Sequence, residues 1–292
     1  MENEASGIVS SQIPAAHPLG VGGRLYLDLM KKCLSGYLFG QKWRPLEPSK
    51  WSLKWMAYEP LSRLLAIAKL QLVRQQPFNA ARRAEGGDWP TYGETMIGLR
   101  RLDNLEACIS DVVHRNIPGD LIETGVWRGG AVIFMRAVLK VLGDSTRTVW
   151  AADSFQGLPK PYAKHYPADE GSDLHTFRYL SVTLEEVKAN FERYGMLDKQ
   201  VQFLVGWFKD TLPAAPIRQL SILRLDGDLY ESTMEALRAL YSKVSVGGYV
   251  IVDDYGVMPS CKAAVEDFRK AQSITEDIRQ IDWSGIYWQR LR

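Results

Sequence analysis

DLIETGVWRGG, residues 120–130, is a short apolar run that passes through an acid into glycines and then into a helical pattern from about Ala131 to Leu142. Gly125 permits a tight turn, and Gly129-Gly130 lets a ligand approach the backbone where the helix begins. A strand that turns into a helix in this way is the opening unit of an open α/β sheet, where ligands bind beyond the carboxyl ends of the strands. The glycine spacing is not the G-x-G-x-x-G of dinucleotide enzymes. Its acid, Glu123, precedes the glycines, where it would repel a pyrophosphate.

The same alternation continues downstream. Thr148–Ala152 reads as a second strand ending at Asp153, and apolar runs recur at Val201–Val205, Ile222–Leu225 and Tyr249–Val252. Helical patterns cover Leu184–Tyr194, Ser232–Leu240 and Val265–Ala271, and the tail from Ile281 reads as a closing hairpin strand. Strands alternating with helices predict a mostly parallel sheet covered on both faces. Asp153, in DSFQG at 153–157, is placed to accept hydrogen bonds from ribose hydroxyls. With Glu123 facing a cationic group, the pair suits a nucleoside that carries an ammonium and lacks a diphosphate, as S-adenosylmethionine does. Trp207 and Phe208 either give an aromatic face to adenine or pack in the core.

Two later strand ends are acidic: LDGDLY at 225–230 and VDDYG at 252–256. Both project from the same rim as Glu123 and Asp153. Four aspartates converging there (Asp226, Asp228, Asp253, Asp254) repel one another and are costly to desolvate without a cation. An all-oxygen donor set favours Mg²⁺, Mn²⁺ or Ca²⁺ over zinc. The alternative is that these acids cap helices or stay solvated. A bound divalent cation would lower the pKa of an alcohol hydroxyl, and a carboxylate left over could take its proton.

Upstream the pattern is less regular. Residues from about Arg24 to Leu38 show helical spacing with Gly36 and Gly40 as stops, and Leu61–Val73 and Leu102–Arg115 read as further helices. The Trp- and Pro-rich passage from Trp43 to Pro60 reads as irregular or short helical structure, either anchoring Trp51 and Trp55 on the core or covering a pocket. We divide the chain into a flexible tail (1–23), an N-terminal helical segment or lid (24–98) and the α/β domain (99–292). A net charge of +2 without a basic run argues against nucleic acid as a partner. No apolar stretch is long enough to span a bilayer. Cys33, Cys108 and Cys261 are scattered, so a reducing cytoplasm is expected.

At these residues the chain resembles the macrocin O-methyltransferase family, metal-dependent enzymes that tailor sugars of macrolides and aminocoumarins. The matching text is LYLDLM at 26–31, YGETMIG at 92–98, RLDNL at 101–105, GDLIETGVWRGGA at 119–131 and ADSFQGLP at 152–159. It continues with LEEVKANFERYG at 184–195, GWFKDTLP at 206–213, LRLDGDLYEST at 223–233 and GGYVIVDDYG at 247–256. The resemblance implies a Rossmann-like class I methyltransferase fold that binds S-adenosylmethionine and Mg²⁺ or Mn²⁺. It implies donor contacts from Thr95, Met96, Glu123, Thr124, Gly125, Val126, Trp127, Asp153, Ser154, Phe155, Gln156, Gly157, Ser181, Trp207, Phe208 and Asp226. It makes Asp226, Asp253 and Asp254 the metal ligands, with Asp226 also at the catalytic centre and Asp228 the general base. The loop Pro159 to Tyr179, which carries His165 and His175, would close over the acceptor with the N-terminal segment.

Other functions fit less well. A nicotinamide oxidoreductase lacks its phosphate-binding glycines here, and a noncatalytic nucleoside binder would have no use for the acidic rim. The expected acceptor is a small molecule, a glycosylated natural product, with a phenol or catechol as the alternative. A homodimer is expected through the aromatic N-terminal segment.

Overall fold

The computed structural model describes residues 19–40, 43–46, 53–75 and 77–292. Most of the expected tail, and Trp51, lie outside these residues. The first helix, α1 (Val21–Leu34), is followed by β1 (Trp43–Pro45), α2 (Leu53–Ile67), β2 (Val73–Gln75) and α3 (Ala80–Ala84). The α/β part runs α4 (Leu99–His114), β3 (Asp120–Thr124), α5 (Gly130–Val141), β4 (Val149–Asp153), α6 (Leu184–Arg193) and β5 (Val201–Val205). It closes with α7 (Phe208–Thr211), β6 (Leu220–Leu225), α8 (Tyr230–Leu240), β7 (Val244–Val252), α9 (Pro259–Ala271), β8 (Arg279–Gln280) and β9 (Ile286–Gln289).

The main sheet has the order β5-β4-β3-β6-β7-β9-β8. Strands β3 to β7 are parallel, and β9 pairs antiparallel with both β7 and β8. The order reverses between β3 and β6, which opens the crevice where such sheets bind ligands. This is the Rossmann-like arrangement expected from the alternation of strand and helix. Side chains alternate across the sheet: Leu121 joins the core beneath α4 and α5, while Ile122 joins the core beneath α8 and α9. The two strand-rich cores are thus separate layers on opposite faces.

Helix α1 is built into the first layer. Leu27 and Leu34 are fully buried there, and Gly36, at φ 70°, lets the chain leave the helix. The helix expected over 61–73 differs from the structure. It starts at Leu53, carries Pro60 within it and stops at Ile67, and Val73 lies in β2. The stop is a left-handed residue: Lys69 takes φ 56°, and Leu70 N donates to Leu65 O at 2.9 Å. The passage from Trp43 to Pro60, expected to be irregular or short helical, supplies β1, which pairs antiparallel with β2, and the start of α2. Among the described residues no helix is long and apolar enough to cross a membrane.

Candidate active site

Three strand ends converge on the crevice. Gly125 follows β3 with φ 87°, and a Cβ there would overlap the carbonyl oxygen of Asp226, which follows β6. The two loops therefore touch backbone to backbone, and only glycine permits it. Trp127, Phe155 and Asp228, one from each of the loops after β3, β4 and β6, adopt left-handed backbone at φ 47°, 55° and 57°. For the bulky Trp127 and Phe155 this conformation is strained, and strain of this kind collects at functional sites.

A cavity of about 540 Å³ opens between these loops. Of the expected donor contacts, Met96, Gly125, Trp127, Asp153, Ser154, Gln156, Gly157, Trp207, Phe208 and Asp226 line it, and so does Asp228. The rest do not line it. Thr95 is buried, its Oγ1 accepting from Ile97 N at 3.3 Å, and Thr124, Val126 and Phe155 are buried in the core. Ser181 sits against Gly157. Neither Asp253 nor Asp254 reaches the cavity wall.

Asp153 is fixed by backbone: its Oδ2 accepts from Val126 N at 2.8 Å and its Oδ1 from Phe155 N at 2.7 Å. Burial raises its pKa, and these N–H bonds oppose the rise. Trp127 N and Ser154 Oγ, the latter at 3.4 Å, add to this set of donors.

Glu123 lies beneath the wall, 2% exposed. Its Oε1 accepts from Arg224, and its Oε2 is buried without a partner among the described residues. Burial pushes its carboxyl up to about 8 against the pull of Arg224. Arg224 stands opposite Glu123 in the register of β3 and β6, on the same face of the sheet. Its guanidinium also donates to Asp226 Oδ2 at 2.8 Å and to Asp253 Oδ1 at 2.5 Å. Asp253 Oδ2 is held by Arg101 of α4, whose Nε reaches Asp282 Oδ2 at 2.9 Å. Two buried guanidiniums thus thread an acidic cluster.

Sequence reasoning missed both arginines. The signal was present in LSILRLDGD at 220–228, where one arginine interrupts an apolar run of the kind buried on both faces.

The metal test rests on the carboxylates. Asp226, Asp253 and Asp254 each offer an oxygen within 4.8 Å of the others. Burial and Asp253 push Asp226 up to about 6, and burial and Asp228 raise Asp254 well above its usual range. Like charges held this close fit a hard divalent cation, although Asp253 would share its oxygens with both arginines. Asp228 is oriented through its backbone: its N–H donates to Asp254 Oδ2 at 3.3 Å, and its carbonyl accepts from Ser260 Oγ at 3.1 Å. Burial and Asp226 push its carboxyl up to about 7.

The loop after β4 is attached at its far end by an aromatic stack. Trp89 lies parallel to Tyr179 with centroids 5.4 Å apart, and Trp127 Nε1 donates to Tyr179 O at 2.9 Å. The Arg128 guanidinium lies 4.3 Å from the Trp127 ring. This joins the segment before α4, the Gly125 turn and the loop. His175 lines the cavity and His165 does not.

Comparison with known proteins agrees with this geometry. The family described as Macrocin-O-methyltransferase (TylF) matches residues 23–290. Demethyldecarbamoylnovobiocin O-methyltransferase of Streptomyces niveus is 48% identical over 269 residues, 92% of this chain and 94% of that protein. The 8-demethyl-8-(2,3-dimethoxy-alpha-L-rhamnosyl)-tetracenomycin-C 4'-O-methyltransferase of Streptomyces olivaceus is 47% identical over 266 residues, covering 91% and 92% of the two chains. The solved structure of the O-methyltransferase NovP superposes with a TM-score of 0.79 at 46% identity, covering 92% of this chain and 100% of that one.

Proposed function

Because the chain belongs to the macrocin O-methyltransferase family, we propose that it transfers the methyl group of S-adenosylmethionine to a sugar hydroxyl of a glycosylated natural product, using Mg²⁺ or Mn²⁺. The observation that carries the reading is Asp228, a carboxyl on the cavity wall beside three carboxylates grouped within 4.8 Å. A sugar acceptor is supported by the relative whose name gives a rhamnosyl tetracenomycin as its substrate.

S-adenosylmethionine supplies an electrophilic methyl group. On this reading its amino acid portion would lie against the wall that Glu123 backs from beneath, where the buried Oε2 lacks a partner among the described residues. Asp153 would take its ribose hydroxyls, and Trp207 and Phe208 would flank its adenine. Asp226, Asp253 and Asp254 would hold the cation, which supplies Lewis acidity toward the acceptor oxygen. Asp228 accepts the hydroxyl proton as the oxygen–methyl bond forms and the sulfur–methyl bond breaks. The loop after β4 and residues 24–98 exclude water from the transfer.

We place the enzyme in a reducing cytoplasm, in keeping with three free cysteines. The homodimer reading is supported by apolar side chains exposed on α1 and α2, among them Leu25, Leu64 and Ile67. Calorimetry of chelator-treated protein with S-adenosylmethionine, with and without Mg²⁺, tests the core of the proposal. Donor binding without metal binding would retain the methyltransferase and remove the metal. Binding of neither would overturn both.

A further inference from the structure

Residues 158–181 connect β4 to the turn before α6, and of them only Asp169 is buried, at 1% exposed. A carboxylate is among the least expected side chains to anchor a surface loop by burial, unless it has partners. Its partners are the first N–H groups of α8. Asp169 Oδ1 accepts from Tyr230 N at 2.7 Å, and Oδ2 accepts from Glu231 N at 3.0 Å. Helix α8 has no cap of its own, because Leu229 stands at its N-cap position and makes no side-chain capping bond. The loop therefore supplies in trans what Ser, Thr or Asp would supply locally, and the negative charge matches the positive end of the helix dipole.

The helix that Asp169 caps is the one that leaves the catalytic turn. Leu229 N donates to Gly227 O at 2.6 Å, so the first turn of α8 continues directly from Asp226 and Asp228. Lys160, Tyr162, His175 and Leu180 of the loop form one wall of the cavity, and Glu231 and Ser232 of α8 form another. Tyr166 adds a ring contact to Tyr230 at 6.0 Å. One buried carboxylate thus fixes one wall against the other.

We propose that Asp169 is a positioning residue, which holds loop 158–181 closed over the transfer cavity by capping α8 in trans. Its importance to the acceptor rests on the function proposed above. Its mechanical role does not.

Trypsin cleavage after the exposed Lys164 reports the closure. Losing two charge-assisted hydrogen bonds should raise the open population, and with it the rate at Lys164, by ~tenfold or more in Asp169→Ala. Asp169→Asn keeps one acceptor oxygen and should be cleaved at an intermediate rate. Other sites should be cut at the wild-type rate. A wild-type rate at Lys164 in Asp169→Ala overturns the proposal. So does acceleration throughout the chain with Asn no better than Ala, which would make Asp169 a residue of general stability. Wild-type protein that fails to bind S-adenosylmethionine would instead refute the function proposed above and leave the loop result standing.

Discussion

Arg224 Nη2 lies 2.5 Å from Asp253 Oδ1, and the same guanidinium reaches Glu123 and Asp226. One buried cation on β6 thus organises acids from three strand ends. Replacing Arg224 with Met leaves Glu123 and Asp253 as buried carboxylates with less compensation. Breaking a buried pair from one side costs about 3–5 kcal/mol. We expect Arg224→Met to lower the unfolding free energy by that order, and Arg224→Lys to recover only part, since one ammonium cannot reproduce the planar fork. Urea titration of the three proteins checks it, and a midpoint unchanged in Arg224→Met would remove Arg224 from its organising role.

Among the described residues, the bonds that hold the turn at Asp228 run through its backbone N–H and carbonyl. Asp228→Asn should therefore fold and bind S-adenosylmethionine as the wild type does. Its turnover should fall by ~10²–10⁴, the usual contribution of a general base. Single-turnover rates beside donor calorimetry separate the two effects. Retention of more than a tenth of the rate would assign the proton transfer to another group.

Asp254 is the better test of the metal than Asp253. Asp253 is bonded to two arginines, so its replacement also breaks ion pairs, whereas among the described residues the Asp254 carboxylate accepts only the weak Asp228 N–H contact at 3.3 Å. We expect Asp254→Asn to weaken Mn²⁺ binding by at least ~tenfold, about 1.4 kcal/mol, with a small change in melting temperature. Electron paramagnetic resonance of free Mn²⁺ measures it directly. Equal Mn²⁺ affinity in both proteins would exclude the three-aspartate site.

Much of this site was legible because strand-end loops carry their chemistry in order. DLIETG, DSFQG, LDGD and VDD each end or follow an apolar run, and the fold brings each to the same rim. The partners of Arg224 and Arg101 were not legible, since strand register and helix packing set them across a separation of up to 181 residues. Asp169 was hidden for a related reason. Capping is read locally, and here the capping acid stands 61 residues before the N–H that it serves. The 61–73 helix was misplaced because Pro60 was read as a boundary, while the real stop was the left-handed Lys69.

Burial, reinforced by Glu231, pushes the Glu235 carboxyl on the cavity wall from 4.5 up to about 7. Between those values the folded chain holds this proton and the unfolded chain does not. Stability from this group is therefore complete below about pH 4.5 and lost as the pH rises through 7. Glu235→Gln removes the titration. The difference in melting temperature, wild type minus variant, should fall across that window and level off above it. Parallel curves for the two proteins would show that Glu235 does not titrate in the folded chain as described.

Gly125→Ala tests whether donor and metal loops are one mechanical unit. The added Cβ would meet the Asp226 carbonyl oxygen, and φ 87° is itself strained for alanine. Backbone on both sides cannot yield as a flexible side chain would, so the turn after β3 and the turn after β6 must separate. Both S-adenosylmethionine and Mn²⁺ binding should then weaken together, by ~tenfold or more for a strain of about 1–3 kcal/mol. Gly143, with φ 73° and nothing near its absent Cβ, supplies the control. Gly143→Ala carries comparable backbone strain outside the cavity wall and should leave both affinities intact. Loss of donor binding alone in Gly125→Ala would show that the Asp226 turn holds its position without the β3 loop, and that the two sites are assembled independently.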